Sequence, residues 1–347
     1  MSATLNMELG PNSYDIVIER GCSQKAGQLM NLNRKVLIVT DSGVPAQYAE
    51  TVAAQCKVPV IHTIPQGEES KSLQVFETLL RDMLAHDFTR GDCVAAVGGG
   101  VCGDLAGFAA ACYMRGIDFY NLPTTVLSQV DSSIGGKTAV DLAGIKNIVG
   151  AFYQPKKVLI DPDVLTTLPP RQISAGLAEA LKMSLTSDPE LFAIFEAGKA
   201  LEQIDEVIRK SLEIKKYVVE QDEKEQGLRR ILNFGHTIGH GIESVSALSD
   251  RPFYHGECVA MGMLPMCSPA LRQRLLPVLE QLKLPTCCSL DGGQVYEAML
   301  HDKKASADGI TIVEVSIPGS YRLTRVAPEA LKPGIDLLLT PEKEAEA

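Results

Sequence analysis

A short apolar run, Cys93-Val94-Ala95-Ala96-Val97, lies between Asp92 and Gly98 and leads directly into a glycine turn. Uninterrupted and flanked by turn residues, it reads as a buried strand. Gly98, Gly100 and Gly103 then fall at the spacing G-x-G-x-x-G, and the alanine-rich stretch Leu105 to Tyr113 reads as a helix. In the context of strand, turn and helix, such glycines let backbone approach a pyrophosphate. The helix N-terminus adds free N–H groups and the positive end of a dipole. A lone match of this kind is as often a tight turn in any α/β protein, so neighbouring segments must decide.

The following residues favour an anionic ligand. Pro123-Thr124-Thr125 sets two hydroxyls on a turn, and Asp131 to Thr138 packs an acid, serines, glycines and Lys137 into one polar loop. A Walker A motif would need glycine where Asp131 stands, so that reading fails. Lys137, Lys146, Asn147 and Arg115 remain as donors suited to a small phosphorylated molecule. The alternative is that the lysines are solvated surface residues. Upstream, Lys35 to Thr40 reads as a strand with Asp41 directly after it. An acid there can accept hydrogen bonds from ribose hydroxyls and disfavours a 2′-phosphate. Taken alone, it reads better as a turn or helix-capping aspartate.

Strands and helices alternate through the first half. Ser13 to Ile18, Val58 to Ile64 and Lys157 to Asp161 read as strands; Gln47 to Cys56 and Leu73 to His86 read as helices, the latter opened by the polar turn Gly67 to Ser72. After Leu168-Pro169-Pro170 the texture becomes helical: Gln172 to Leu185, Glu190 to Ala197, Ala200 to Glu220 and Arg230 to Val245. A possible hairpin follows at Gly309 to Val315 and Tyr321 to Val326. The expected fold class is α/β, with an N-terminal Rossmann-like domain (1–168) built on a mainly parallel sheet. A mostly helical domain (169–347) completes it.

Composition narrows the partners. Lys+Arg 33 against Asp+Glu 43 gives a net charge of -10, which opposes nucleic acid and anionic membrane surfaces as general partners. No apolar run reaches the roughly 18 residues that cross a bilayer. The N-terminus shows neither a basic n-region nor an apolar h-region. Nine scattered cysteines without a C-x-x-C pair fit reduced thiols, so a cytoplasmic location is expected.

The helical half carries a candidate metal set. His236 and His240 stand at i, i+4 in LNFGHTIGH, His255 opens HGE at a helix start, and Glu179 and Lys182 stand at i, i+3. Two imidazoles with one carboxylate suit Zn²⁺ or a similar divalent ion with an open coordination position. Spacing does not say which two of the three histidines would bind. An ordinary helix ion pair for Glu179 and Lys182, and a partly buried polar face for the histidines, are the plainer alternatives.

Taken in order, the segments GEESK, GGGVCGD, LPTT, VDSSIGGKTAV, KN-x-x-G-x-F-x-x-P, TLPPR, G-x-AE-x-x-K, DEKEQGLR, LNFGHTIGH, HGE and HDKK resemble the 3-dehydroquinate synthases, among the sugar-phosphate cyclases. The resemblance runs from about Gly67 to beyond Lys304. It implies an NAD-binding α/β domain and a helical metal-binding domain. By motif position it implies that Glu179, His236 and His255 bind Zn²⁺ (with Co²⁺ or another divalent ion also able to serve), leaving His240 as a catalytic side chain. NAD would be held by Asp41, Glu68, Lys71, Gly99, Gly100, Val101, Asp104, Thr124, Thr125 and Lys146, with Thr167, Leu168 and Gln172 from the other side of the hinge. Asp131, Lys137, Lys182, Glu225 and Asn233 would join His240 in catalysis. Asn147, Lys215, Arg229 and one of Lys303 or Lys304 would bind substrate. Arg115 would reach the phosphate from the neighbouring subunit of a homodimer.

The implied substrate is the phosphorylated sugar acid 3-deoxy-D-arabino-heptulosonate 7-phosphate. Transient oxidation of its C5 hydroxyl acidifies the neighbouring hydrogen, phosphate leaves, the ketone is reduced again, and an intramolecular aldol closes the carbocycle. NAD would cycle without net consumption. Rival readings are another sugar-phosphate cyclase, a metal-dependent polyol or glycerol-phosphate dehydrogenase, and a non-catalytic NAD-binding protein. Two departures stand out: Asp141 where many members have Asn, and Ile145 where they have Gly. A β-branched residue is excluded from a glycine-only conformation, so the loop before Lys146 and Asn147 is expected to take its own path.

Overall fold

The computed structural model describes residues 2–302 and 309–339. By contact density the chain divides into two units, Met1–Pro169 with Lys215–Lys224, and Pro170–Ile214 with Glu225–Ala347.

The first unit is built on seven strands: β1 (Ser2–Met7), β2 (Tyr14–Glu19), β3 (Lys35–Asp41), β4 (Val58–Ile64), β5 (Cys93–Gly98), β6 (Asp118–Pro123) and β9 (Lys157–Ile160). They lie in the order β1-β2-β9-β6-β5-β3-β4, parallel except for the antiparallel β1–β2 pair. All of β5 is buried, which is why its sequence is continuously apolar instead of alternating. In β3, Leu37 and Val39 face a cluster with α3 (Leu73–Ala85) and α4 (Gly100–Cys112). Val36 and Ile38 face the opposite cluster, with α1 (Ala26–Leu29) and α2 (Ala46–Ala53). The period of two thus fills both faces.

From β3 the chain goes outward to β4, then returns to place β5 on the other side of β3 and continues to β6. The order reverses between β3 and β5, and Asp41 and Gly98 end those two strands. This is the crevice in which open α/β sheets bind ligands.

Two expectations are corrected in this unit. The helix read as Leu105 to Tyr113 begins at Gly100, because glycine's poor helix propensity hides a start that tertiary packing imposes. The polar loop around Lys137 is instead a hairpin, β7 (Lys137–Leu142) with β8 (Ile145–Phe152). Its two-residue turn is Ala143-Gly144, with φ of 52° and 79°, the twist that suits a tight hairpin. Ile145 is ordinary strand, as its β-branched side chain requires.

The second unit contains α5 (Pro170–Ser187), α6 (Pro189–Glu196), the start of α7 (Ile204–Gln221), α8 (His236–Ser246), α9 (His255–Met263), α10 (Pro269–Gln281), α11 (Gly292–Asp302) and α12 (Lys332–Asp336). The last turns of α7, from Lys215, belong to the first unit. The expected hairpin is present as β10 (Ile310–Ile317) and β11 (Ser320–Val326). Arg230 to Val245 is not one helix. A 3-10 segment, Leu228–Asn233, ends before Gly235, whose φ is 79°, and α8 starts at His236. A Cβ on Gly235 would lie 2.7 Å from the carbonyl oxygen of Val259, so only glycine permits both the left-handed turn and the approach of α9. No described helix is long and apolar enough to cross a membrane.

Candidate active site

In the first unit the glycine turn places Gly99 at the N-cap of α4, with Gly100 and Val101 in its first turn and no side chain capping it. A Cβ on Gly99 would lie 3.1 Å from Thr125, and one on Gly100 would lie 3.1 Å from Ser132 Oγ. The turn is therefore a bare backbone cradle at a helix N-terminus, which fits a pyrophosphate. Thr124 donates its N–H to the Gly98 carbonyl at 2.9 Å, fastening the hydroxyl turn to the end of β5. Asp41 accepts Gly43 N–H at 2.8 Å and Cys102 Sγ at 3.3 Å. Thr167 is hydrogen-bonded to Tyr48 at 2.9 Å, next to Leu168; Gln172 lies on α5 of the second unit.

Lys71, 5% exposed, gathers several of the expected residues. Its ammonium meets Asp104 at 2.8 Å, Glu68 at 3.4 Å and the Asn147 side-chain oxygen. Burial depresses the Lys71 pKa, but Asp104, Glu68 and Asp141 outweigh it and hold the group above its ordinary value. Asn147 has a φ of 54° and donates its N–H to Asp141 at 2.7 Å, while Asp141 N–H reaches the Lys71 carbonyl at 2.7 Å. Asp141 thus ties the hairpin to Lys71. Asp131 and Lys215, both expected at the site, are ion-paired, with Lys215 also donating to the Asp131 carbonyl at 2.8 Å. Asp131 lies in a π-helical turn, Ser128–Ser132. Lys137 and Lys146 are exposed on the hairpin, and Arg115 is exposed in a turn with φ of 67°.

In the second unit α5, α8 and α9 converge. One ring nitrogen each from His236, His240 and His255 lies within 4.8 Å of the others. Glu179, 1% exposed, sends Oε1 to 3.4 Å from His255 Nε2 and 3.8 Å from His236 Nε2. Its Oε2 is taken by Lys182, while Oε1 is buried with no hydrogen-bond partner. The Nδ1 atoms are anchored away from the centre. That of His236 faces the Phe234 carbonyl at 3.1 Å, and that of His255 faces Glu243 at 2.9 Å. Such partners turn each Nε2 toward the centre. Burial lowers the His255 pKa, but Glu179 and Glu243 outweigh it and push it up to about 10, so without an ion His255 carries the positive charge there. A buried carboxylate oxygen that makes no hydrogen bond, facing two oriented imidazoles, fits a divalent cation in place of a proton. Burial raises the Glu179 pKa, but Lys182 and His255 overcome it and hold the group well below the usual carboxylate range. Burial and then Lys182 push His236 well below its ordinary value, so it stands neutral as a ligand must.

Glu243 was not anticipated from the sequence. Its signal was available: on α8 it stands one turn beyond His240, on the same face. Arg229 is 2% exposed and therefore not a surface residue. Asn233 donates to Glu225 at 2.9 Å. Lys303 and Lys304 lie outside the described residues.

Sheet, glycine cradle and histidine–carboxylate cluster define the chain's class: an α/β fold with a helical second half, a helix N-terminus open to a phosphate and a candidate metal centre. The 3-dehydroquinate synthase N-terminal family profile matches residues 61–175 and the C-terminal profile matches 176–305. The 3-dehydroquinate synthase of Sulfurovum sp. (strain NBC37-1) is 40% identical over 325 residues, covering 90% of this chain and 91% of that protein. That of Sulfurimonas denitrificans (strain ATCC 33889 / DSM 1251) is 42% identical over 318 residues, covering 87% and 88%. The solved structure of ValA (2-epi-5-epi-valiolone synthase) from Streptomyces hygroscopicus subsp. jinggangensis 5008, with NAD⁺ and Zn²⁺ bound, matches with a TM-score of 0.84. Its identity is 27%, and the match covers 94% of this chain and 96% of that one. The chain belongs to the 3-dehydroquinate synthase family.

Proposed function

We propose that the chain converts 3-deoxy-D-arabino-heptulosonate 7-phosphate to 3-dehydroquinate and phosphate, with NAD and a divalent ion, zinc or cobalt, as its cofactors. The observation that carries this reading is Glu179 Oε1, buried without a donor and facing His236 and His255. On this reading Glu179, His236 and His255 hold the ion. The cradle from Gly99 to Val101 takes the pyrophosphate, and Asp41 takes a ribose. The chemistry the two bound groups supply is reversible hydride transfer and Lewis-acid polarisation of substrate oxygens.

The chain's own residues do the rest. Lys182 keeps Glu179 ionised and turned so that Oε1 faces the histidines. His240, whose ring centroid is 5.2 Å from that of His236, is placed to carry a proton to and from substrate oxygen. Lys215 and Asp131 present a paired ammonium and carboxylate that can orient hydroxyls without a net charge. Arg229 offers the planar fork that a carboxylate needs. Lys137 supplies a charge for the phosphate, and Arg115, exposed on its turn, supplies another to a neighbouring copy in a cytoplasmic homodimer.

The test is incubation with the heptulosonate phosphate, NAD and Zn²⁺ while phosphate and NADH are followed together. Phosphate should be released over many turnovers with no lasting rise in NADH. One NADH per phosphate would replace this reading with a dehydrogenase, and no phosphate would end it.

A further inference from the structure

Two motifs, TLPPR and HGE, contain a pair of charged residues that the site described above does not use. Arg171 stands in the first turn of α5 and Glu257 in the first turn of α9. Arg171 Nε donates to Glu257 Oε1 and its Nη2 to Oε2, both at 2.7 Å, a two-pronged fork. Nη2 also donates to the Pro252 carbonyl at 2.9 Å, and the guanidinium lies 4.4 Å from the Tyr254 ring centroid. Glu257 Oε2 accepts Tyr254 N–H at 2.7 Å, closing the start of α9. Glu257 is 6% exposed, so the fork is buried on its acidic side.

The fork spans a joint that has no slack. A Cβ on Gly256 would lie 1.8 Å from the Ala175 carbonyl oxygen, so the backbones of α9 and α5 touch there. His255 immediately precedes Gly256, and Glu179 is one helical turn beyond Ala175. Across this joint His255 Nε2 lies 3.4 Å from Glu179 Oε1.

We infer that Arg171 and Glu257 are a positioning pair: their fork fixes His255 against Glu179 and so sets how tightly, and in what geometry, the centre holds a divalent ion. The inference rests on the metal reading proposed above. Neither residue is among the proposed ligands; both act through the placement of α9. Lysine cannot reproduce the planar fork, so Arg171→Lys keeps the charge and loses the second hydrogen bond.

The experiment uses the purified full chain as wild type, Arg171→Lys, Glu257→Gln, His255→Ala and a control, Arg274→Lys. The control breaks another fork in the same unit, Arg274 to Glu196 at 2.8 Å on both prongs. Zinc affinity is read by competition with a chromophoric chelator. Coordination geometry is read from the visible absorption of the Co²⁺-loaded protein, and folding from circular dichroism of the metal-free forms. Arg171→Lys and Glu257→Gln should bind zinc roughly 10–100-fold more weakly and shift the Co²⁺ spectrum, while Arg274→Lys matches wild type in both. Should Glu257→Gln not fold, Arg171→Lys decides. Wild-type affinity and spectrum in Arg171→Lys, or an equal loss in Arg274→Lys, would overturn the inference. If wild type and His255→Ala bind zinc alike, the metal reading itself fails and this inference goes with it.

Discussion

Glu243 illustrates how much one side chain can decide. Its carboxylate, 2.9 Å from His255 Nδ1, is what turns the other ring nitrogen toward Glu179. Glu243→Ala should lower zinc affinity roughly 10–100-fold, whereas Glu243→Gln, still able to accept the N–H, should lose less; chelator competition measures both. Arg229 makes a second residue-scale prediction. Buried to 2% exposure, it should read the substrate carboxylate, and removing half of such a pair costs roughly 2–5 kcal/mol. Arg229→Lys should therefore lose a large part of kcat/KM on the heptulosonate phosphate and little on a heptulose phosphate without the carboxylate. Equal losses on both would show that Arg229 does not read it. At this scale the sequence was most legible where residue type alone restricts chemistry, as in His236, His240 and His255. For Glu243 the only signal was its place one turn beyond His240, since a glutamate on a helix otherwise looks the same whether it faces water or an imidazole.

Among the elements, the break before α8 matters most. Gly235 reverses the chain so that His236 begins a new helix instead of continuing the old one. Gly235→Ala should be destabilising by about 1–2 kcal/mol for the left-handed backbone alone, with more from the collision with Val259. Urea unfolding should register it together with loss of bound zinc. A uniform apolar period from Arg230 to Val245 hid this break, since the period continues across it. The hairpin β7–β8 was hidden for a different reason. Glycines, lysines and serines dominate its approach, and its apolar residues are split, with Val140 buried in the core but Leu142, Ile145, Ile148 and Phe152 exposed, so no clean alternation marks it as strand. Asp141 holds that hairpin to Lys71. Asp141→Ala should raise hydrogen exchange at the Asn147 amide and weaken NAD binding; unchanged exchange would show that the bond does not secure the hairpin. Of the seven sheet strands, β2, β3, β4, β5 and β9 were readable to within a residue, β3 and β5 because burial on both faces forces continuous apolar runs, while β1 and β6 went unread.

For the molecule as a whole, the alternation of strands and helices followed by a helical half was written in the order of the chain. The grouping of Lys215–Lys224 with the first unit was not, because α7 keeps one helical period throughout. If the centre binds zinc, saturating metal should stabilise the chain by about 2.7 kcal/mol at a hundredfold excess over Kd. Chelation should then lower the melting temperature and loosen amide protection first in α5, α8 and α9. A melting curve indifferent to chelator would contradict this. The ion pair between Lys182 and Glu179 carries a consequence for the life of the protein. Because the buried acid already has a cationic partner within its own helix, newly made chains should finish folding without metal. A cell short of zinc would accumulate intact, idle copies that start working when the ion arrives, with no further synthesis.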